Sequence, residues 1–156
     1  MRRASLPALI LSAFCSLIIS SCTPGACFED TEAFLKATFY RNEDKRVLPP
    51  DSITLWGSGQ EGKMIYDRET NVQPALLPLD ASSGEATFVL RINGINDTVS
   101  FHYTSFPHFI SKECGYTFFH TLDVDYYSVT SNIIDTIVFR NSNITTENEE
   151  NIRIYY

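Results

Sequence analysis

Three histidines, four cysteines and nineteen acidic residues are the groups on which any chemistry of this 156-residue chain would have to draw. They do not spell out a catalytic motif. There is no Gly-x-Ser-x-Gly, and Cys114 has no histidine near it in sequence, so no nucleophile–base pair is written locally. Gly57-Ser58-Gly59-Gln60-Glu61-Gly62 is glycine-rich. It lacks the Lys-Ser/Thr and the following helix that a phosphate cradle needs, and reads as a loop between strands. Strand alternation turns His102 outward and sets His120 on the face of Phe118 and Leu122. With His108 these do not converge as metal ligands. Asp123-Val124-Asp125 places two carboxylates on one strand face, without the glycine and oxygen spacing of a calcium loop; a solvated edge is the expectation. Glu147, Glu149 and Glu150 read as a solvated turn. No cofactor and no metal is expected.

Eleven Phe, eight Tyr and one Trp are many for this length. Most must be core. Trp56, Tyr126, Tyr127 and Tyr155 are the candidates for an open surface, where aromatic faces recognise sugars or partner chains. Alternation sets Trp56 opposite Ile53 and Leu55, so core packing and partner binding both stay open for it.

The cysteines divide by position. Arg2 and Arg3 precede an apolar stretch at residues 6–19, 14 residues long and interrupted only by Pro7, Ser12 and Ser16. A spanning helix needs roughly 20 apolar residues, so residues 1–21 read as a secretory signal, with Cys15 inside it. The string Ile19-Ser20-Ser21-Cys22 resembles the lipobox of bacterial lipoproteins: an aliphatic residue, two small residues and a Cys. That resemblance implies cleavage before Cys22 and two or three acyl chains on it, enough for stable membrane anchoring. Residues 22–32 are then the lipidated Cys and a short tether, and residues 33–156 the folded domain. Cys27 and Cys114 remain. In an oxidising envelope compartment they read as a disulfide, with two buried free thiols as the alternative.

Charge excludes some partners. The formal net charge is −7 and becomes −9 once Arg2 and Arg3 leave with the signal. This argues against nucleic acid and against charge-driven binding to an anionic membrane surface. A hydrophobic fraction of 44% with 20% charged residues suits one globular domain.

The elements that must position these groups have a period of two. Ala86, Phe88, Leu90 and Ile92 share one face; Val99, Phe101 and Tyr103 alternate with polar residues; so do Tyr116, Phe118, His120 and Leu122. Residues 133–140 and 151–156 are rich in β-branched and aromatic side chains. Asn93-Gly94 joins two alternating runs and tolerates positive φ, as a tight hairpin requires. Asn141-Ser142-Asn143 reads as a second turn. Residues 33–40 fit a strand burying Ala33, Leu35, Ala37 and Phe39, or a short helical turn; the count favours the strand. The pattern predicts an all-β fold of seven to nine strands, an antiparallel β-sandwich or barrel.

A Cys near the mature start, Asp51-Ser52-Ile53-Thr54-Leu55-Trp56-Gly57, Leu77-Pro78-Leu79, Glu113-Cys114-Gly115 and the terminal Asn151-Ile152-Arg153-Ile154-Tyr155-Tyr156 resemble an uncharacterised lipoprotein family of Bacteroides-type bacteria. The resemblance spans essentially the whole mature chain. It implies an immunoglobulin-like β-sandwich on a lipid anchor and brings no catalytic residue. Asp51-Ser52-Ile53, Asp97-Thr98-Val99 and Asp135-Thr136-Ile137 also resemble the O-glycosylation acceptor of such envelope proteins, which would modify Ser52, Thr98 and Thr136. Asp before a β-branched run is equally a common strand entry.

Together these features lead to an outer-membrane lipoprotein with a non-catalytic binding or structural role. Its partners would be the membrane, through Cys22, and an envelope protein or glycan. The rival is a small envelope hydrolase whose site is assembled from distant residues. Surface-displayed lipoproteins of that bacterial group carry acidic residues directly after the lipidated Cys. Here Thr23-Pro24-Gly25-Ala26-Cys27 intervenes, so a periplasm-facing position is expected.

Overall fold

A computed structural model describes residues 26–156. The signal segment and Cys22 lie outside the described residues. Within them the chain forms ten strands and no helix: β1 (Phe34–Tyr40), β2 (Ile53–Gly57), β3 (Met64–Glu69), β4 (Ala75–Pro78), β5 (Glu85–Ile92), β6 (Ile95–Ser111), β7 (Gly115–Val129), β8 (Thr136–Phe139), β9 (Asn143–Ile144) and β10 (Ile152–Tyr155). A four-stranded sheet has the order β4-β1-β10-β8, and a six-stranded sheet the order β3-β2-β5-β6-β7-β9.

The all-β sandwich expected from alternation is what forms, with two differences. The strand count exceeds nine, because β9 is a two-residue strand beside β7 too short to leave a periodic signal. The pairing is not wholly antiparallel: β1 runs parallel to β10, with Ala37 opposite Ile152 and Phe39 opposite Ile154. A parallel pair needs a long crossover, and here the rest of the domain supplies it.

One core fills the space between the sheets. Leu35, Ala37, Phe39, Leu77, Ile152 and Ile154 enter it from the smaller sheet, and Ile53, Leu55, Leu90, Ile92, Val99 and Phe101 from the larger. Each set lies at alternate positions, because successive strand side chains point to opposite faces. Burying each such Leu, Ile or Phe contributes about 1.5–3 kcal/mol.

The turns follow the same logic. Asn93 (φ 49°) and Gly94 (φ 91°) both sit in the left-handed region, the conformation of the two-residue hairpin between paired strands β5 and β6. Leu122 N–H donates to the Ser142 carbonyl at 2.8 Å, which holds the turn before β9 against β7.

Polar groups close the ends. Asn151 is buried; its Oδ1 accepts from Lys36 N at 2.9 Å, and its Nδ2 donates to the Asn141 and Asn143 carbonyls at 3.1 and 2.9 Å. Lys36, also buried, donates its Nζ to the Glu147 carbonyl at 2.8 Å. Burial pulls the Lys36 pKa below its ordinary value, against the opposing pull of Asp30. Glu150 accepts from Tyr40 Oη and Arg153 Nε at 2.9 and 2.7 Å. The acidic stretch read as a solvated turn is therefore partly built into the fold.

Candidate functional site

The side chains singled out in the sequence do not converge on one place. Trp56 is covered. It is on the outer face of the larger sheet, opposite the inward-facing Leu55, yet it is only 6% exposed. The Arg91 guanidinium lies 5.6 Å from its ring centroid, and the indole Nε1 has no hydrogen-bond partner among the described residues. It is the floor of a depression of about 360 Å³ that Arg91, Arg68, Asp67, Glu61 and Met64 roof and rim, not an open aromatic face. Tyr155 is likewise covered, by Tyr40 at 5.3 Å and by Lys45 Nζ at 4.7 Å.

Tyr126 and Tyr127 are brought to a surface by an irregularity. In the β6–β7 ladder Phe101 faces Tyr127 and Tyr103 faces Leu122. One residue of β6, His102, thus stands opposite residues 123–126 of β7. Such a bulge breaks the alternation and re-aims side chains. Tyr126 points into solvent, 65% exposed, with its ring 6.3 Å from that of His102. His102 Nε2 is 3.9 Å from Glu85 Oε1. Glu85, Ser100, His102, Asp125, Tyr126, Tyr127 and Ser128 line a shallow depression of about 240 Å³. Tyr127 also packs against Phe139, with centroids 5.1 Å apart. Asp123 spends one carboxylate oxygen on the Asp125 N–H at 3.2 Å. Among the described residues no group of three or more His, Cys, Asp or Glu is placed to hold a metal.

His120 is buried. Its Nδ1 is 2.9 Å from Ser105 Oγ, and its ring meets that of Tyr103 edge-on at 5.4 Å. Burial lowers its pKa from the ordinary value. Inside and polar, it serves the fold, apart from His102.

Cys27 and Cys114 are joined as a disulfide, their Cα atoms 4.8 Å apart. Cys114 lies in the turn between β6 and β7, where Gly115 adopts φ 76°. The bridge therefore pins the irregular segment before β1 to the far tip of the longest hairpin. Thr117 Oγ1 adds a hydrogen bond to the Thr31 carbonyl at 2.5 Å.

Ser52, Thr98 and Thr136 of the three Asp-Ser/Thr-aliphatic strings are half-buried residues. Ser52 N–H donates to Asn93 Oδ1, Thr98 N–H to Thr130 Oγ1, and Thr136 pairs with Tyr155 across β8 and β10. Sequence reasoning missed Asp97 itself. Only 1% exposed, it accepts from Asn132 N at 2.7 Å and from Ile133 N and Ile134 N at 2.8 Å each. Thr130 Oγ1 donates to it at 2.5 Å. Burial alone would raise its pKa, but these donors outweigh burial and hold it below the ordinary carboxylate value.

Comparison with family models matches residues 52–156 to a family described as a family of unknown function, DUF6452. The match starts at Ser52 and includes the bulge, Cys114 and the terminal strand, while Cys22 and Cys27 precede it. No curated protein and no solved structure matches the chain. With most of its length matched, the chain belongs to the DUF6452 family.

Proposed function

We propose that this DUF6452 member is a lipid-anchored β-sandwich of the bacterial cell envelope, tethered to the outer membrane through Cys22 and facing the periplasm. Its role is non-catalytic binding of an envelope glycan or protein. The observation that carries the binding role is the bulge in β7. It displays the Tyr126 ring beside His102 and surrounds it with Glu85, Asp125, Ser100 and Ser128. An aromatic face ringed by donors and acceptors suits a hydroxyl-rich ligand, since the ring stacks on apolar C–H faces while the polar rim takes the hydroxyls. The anchoring part rests on Ile19-Ser20-Ser21-Cys22 and the apolar stretch before it. The bridge adds to it by fixing the chain five residues after Cys22 to one end of the domain. From that end, His102 is nine strand residues away along β6, about 30 Å at the usual rise. The depression would then stand clear of the bilayer and open to the aqueous envelope.

Two measurements test this reading. Intact mass of the mature protein should show acyl chains on Cys22, and Cys22→Ala should block cleavage; a bare amine at residue 22 removes the anchor. Titration with envelope polysaccharide and cell-wall fragments should give binding that Tyr126→Ala and His102→Ala each weaken about tenfold, the loss of roughly 1.4 kcal/mol. Equal affinity in the variants removes the assignment of the depression.

A further inference from the structure

We propose that the distal end of the β6–β7 hairpin is a lipid-contacting wedge, seated in the headgroup region of the same bilayer that holds the acylated Cys22. The proposal rests on the anchor reading above and adds a second membrane contact made by the folded domain. Tyr103 and Leu122 are the last paired residues of the hairpin that lie wholly in the core. β5 pairs with β6 only as far as His102, opposite Glu85. Beyond this β9 still flanks β7 at His120 and Thr121, opposite Ser105 and Thr104; past them the hairpin continues as a two-stranded ribbon to Ser111 and Gly115. One face of the ribbon carries Pro107, Phe109, Tyr116 and Phe118; the other carries Phe106, His108 and Phe119, with the His108 and Phe119 rings stacked at 4.1 Å. Phe106, Phe109, Tyr116 and Phe118 are between 44% and 73% exposed, and Phe28, next to the bridged Cys27, is 93% exposed.

A contiguous aromatic surface of this kind marks a contact, and both faces of the ribbon are aromatic. A groove on a protein, or a second copy of this chain, covers one face of a ribbon. A bilayer surface surrounds a tip on all sides. Chain length agrees: from Cys22 to the bridged Cys27 is five residues, at most ~18 Å when extended, so acyl chains on Cys22 would hold the tip at the headgroups. Aromatic rings are favoured at that depth. The outer edge of β6 beyond His102 has no strand partner among the described residues and sets the limit, because open strand edges are excluded from hydrocarbon. With a net charge of −9 for the mature chain, attraction to anionic lipid is not the driving force. The contact is apolar, with zwitterionic lipid as the stated partner and little dependence on salt.

The test moves the single tryptophan. In a Trp56→Phe background, Tyr116→Trp puts an indole at the tip, and Tyr126→Trp puts one about 23 Å up the same hairpin. The acylated full-length mature protein is reconstituted in phosphatidylcholine vesicles carrying bromines high on the acyl chains. Tip emission should shift to the blue and fall by about half or more, while Tyr126→Trp emission stays unchanged. Unquenched tip emission in protein that floats with the vesicles and shows acylated Cys22 by mass overturns the wedge and leaves the anchor intact. A tip blue-shifted before lipid is added, with a doubled solution mass, assigns the surface to a second copy and also overturns it. If mass shows no acyl group, the anchor reading fails. The same tip indole is then titrated with free vesicles to saturation, and absence of quenching overturns the wedge independently.

Discussion

The carboxylate of Asp97, at the start of β6, accepts the backbone N–H of Ile134 at 2.8 Å across 37 residues of chain. With the N–H groups of Asn132 and Ile133 and the Thr130 hydroxyl, it closes the loop that carries the chain from the six-stranded sheet to β8. Removing it strands three backbone donors beside the fully buried Ile134. Asp97→Ala should cost about 3–5 kcal/mol, the range for breaking a buried charged network from one side. Asp97→Asn keeps one acceptor oxygen but turns an amide N–H₂ toward donors, and should recover less than half of the loss. Urea unfolding of the three proteins measures this. A loss under 1 kcal/mol for the alanine variant would mean that the loop holds without its carboxylate.

His120 gives the fold a pH dependence of known sign. Burial lowers its pKa from the ordinary 6.5. As pH falls through 6.5 the unfolded chain takes up a proton that the folded chain refuses, so stability declines with acid until the folded-state pKa is reached. The melting temperature should therefore drop as pH falls from above 6.5 through that value. His120→Leu, which keeps the apolar contact with Tyr103, should flatten that drop. An identical drop in the variant would assign the dependence to another group.

Alternation reveals what one buried face dictates. Leu35, Ala37 and Phe39, the Asn93-Gly94 turn, and the opposite placement of His102 and His120 were all legible on that ground. The rest depends on partners distant in sequence. Asp97 reads as a strand entry until Asn132, Ile133 and Ile134 are folded over it. The pairing of Phe39 with Ile154 joins the first strand to the last, and nothing local encodes its parallel sense. Residues 123–126 break the period because they bulge, so the display of Tyr126 leaves no periodic trace. Trp56 was placed on the correct face, but its cover comes from Arg91 on the neighbouring strand, two positions along from Val89, which it opposes.

That cover makes a direct prediction. Trp56 is the single tryptophan and is 6% exposed, so native emission should be blue-shifted and move to the red on unfolding. Arg91→Ala uncovers the indole and removes the cation–π contact. It should shift native emission to the red and cost about 0.5–1 kcal/mol. Unchanged emission in Arg91→Ala would show that other groups shield the ring.

The Cys27–Cys114 bridge should stabilise the protein by less than its span suggests. It closes a separation of 87 residues, for which the loss of unfolded-chain entropy amounts to about 4–5 kcal/mol. That figure assumes that the native state is equally ordered with and without the bond. Here residues 26–32 are irregular and exposed, and the core begins at Leu35. Once the bond is cut, the segment can leave the hairpin while both sheets stay intact. The reduced native state regains entropy, and the net effect of the bridge falls to about 1–3 kcal/mol. Unfolding of the domain with and without reductant should thus give one cooperative transition in each case, with the midpoint lowered modestly. Limited proteolysis should cut within residues 26–32 only after reduction. Two further outcomes decide the matter. Alkylation of both cysteines in unreduced native protein would deny the bridge, and loss of cooperative folding on reduction would show that the sandwich depends on it.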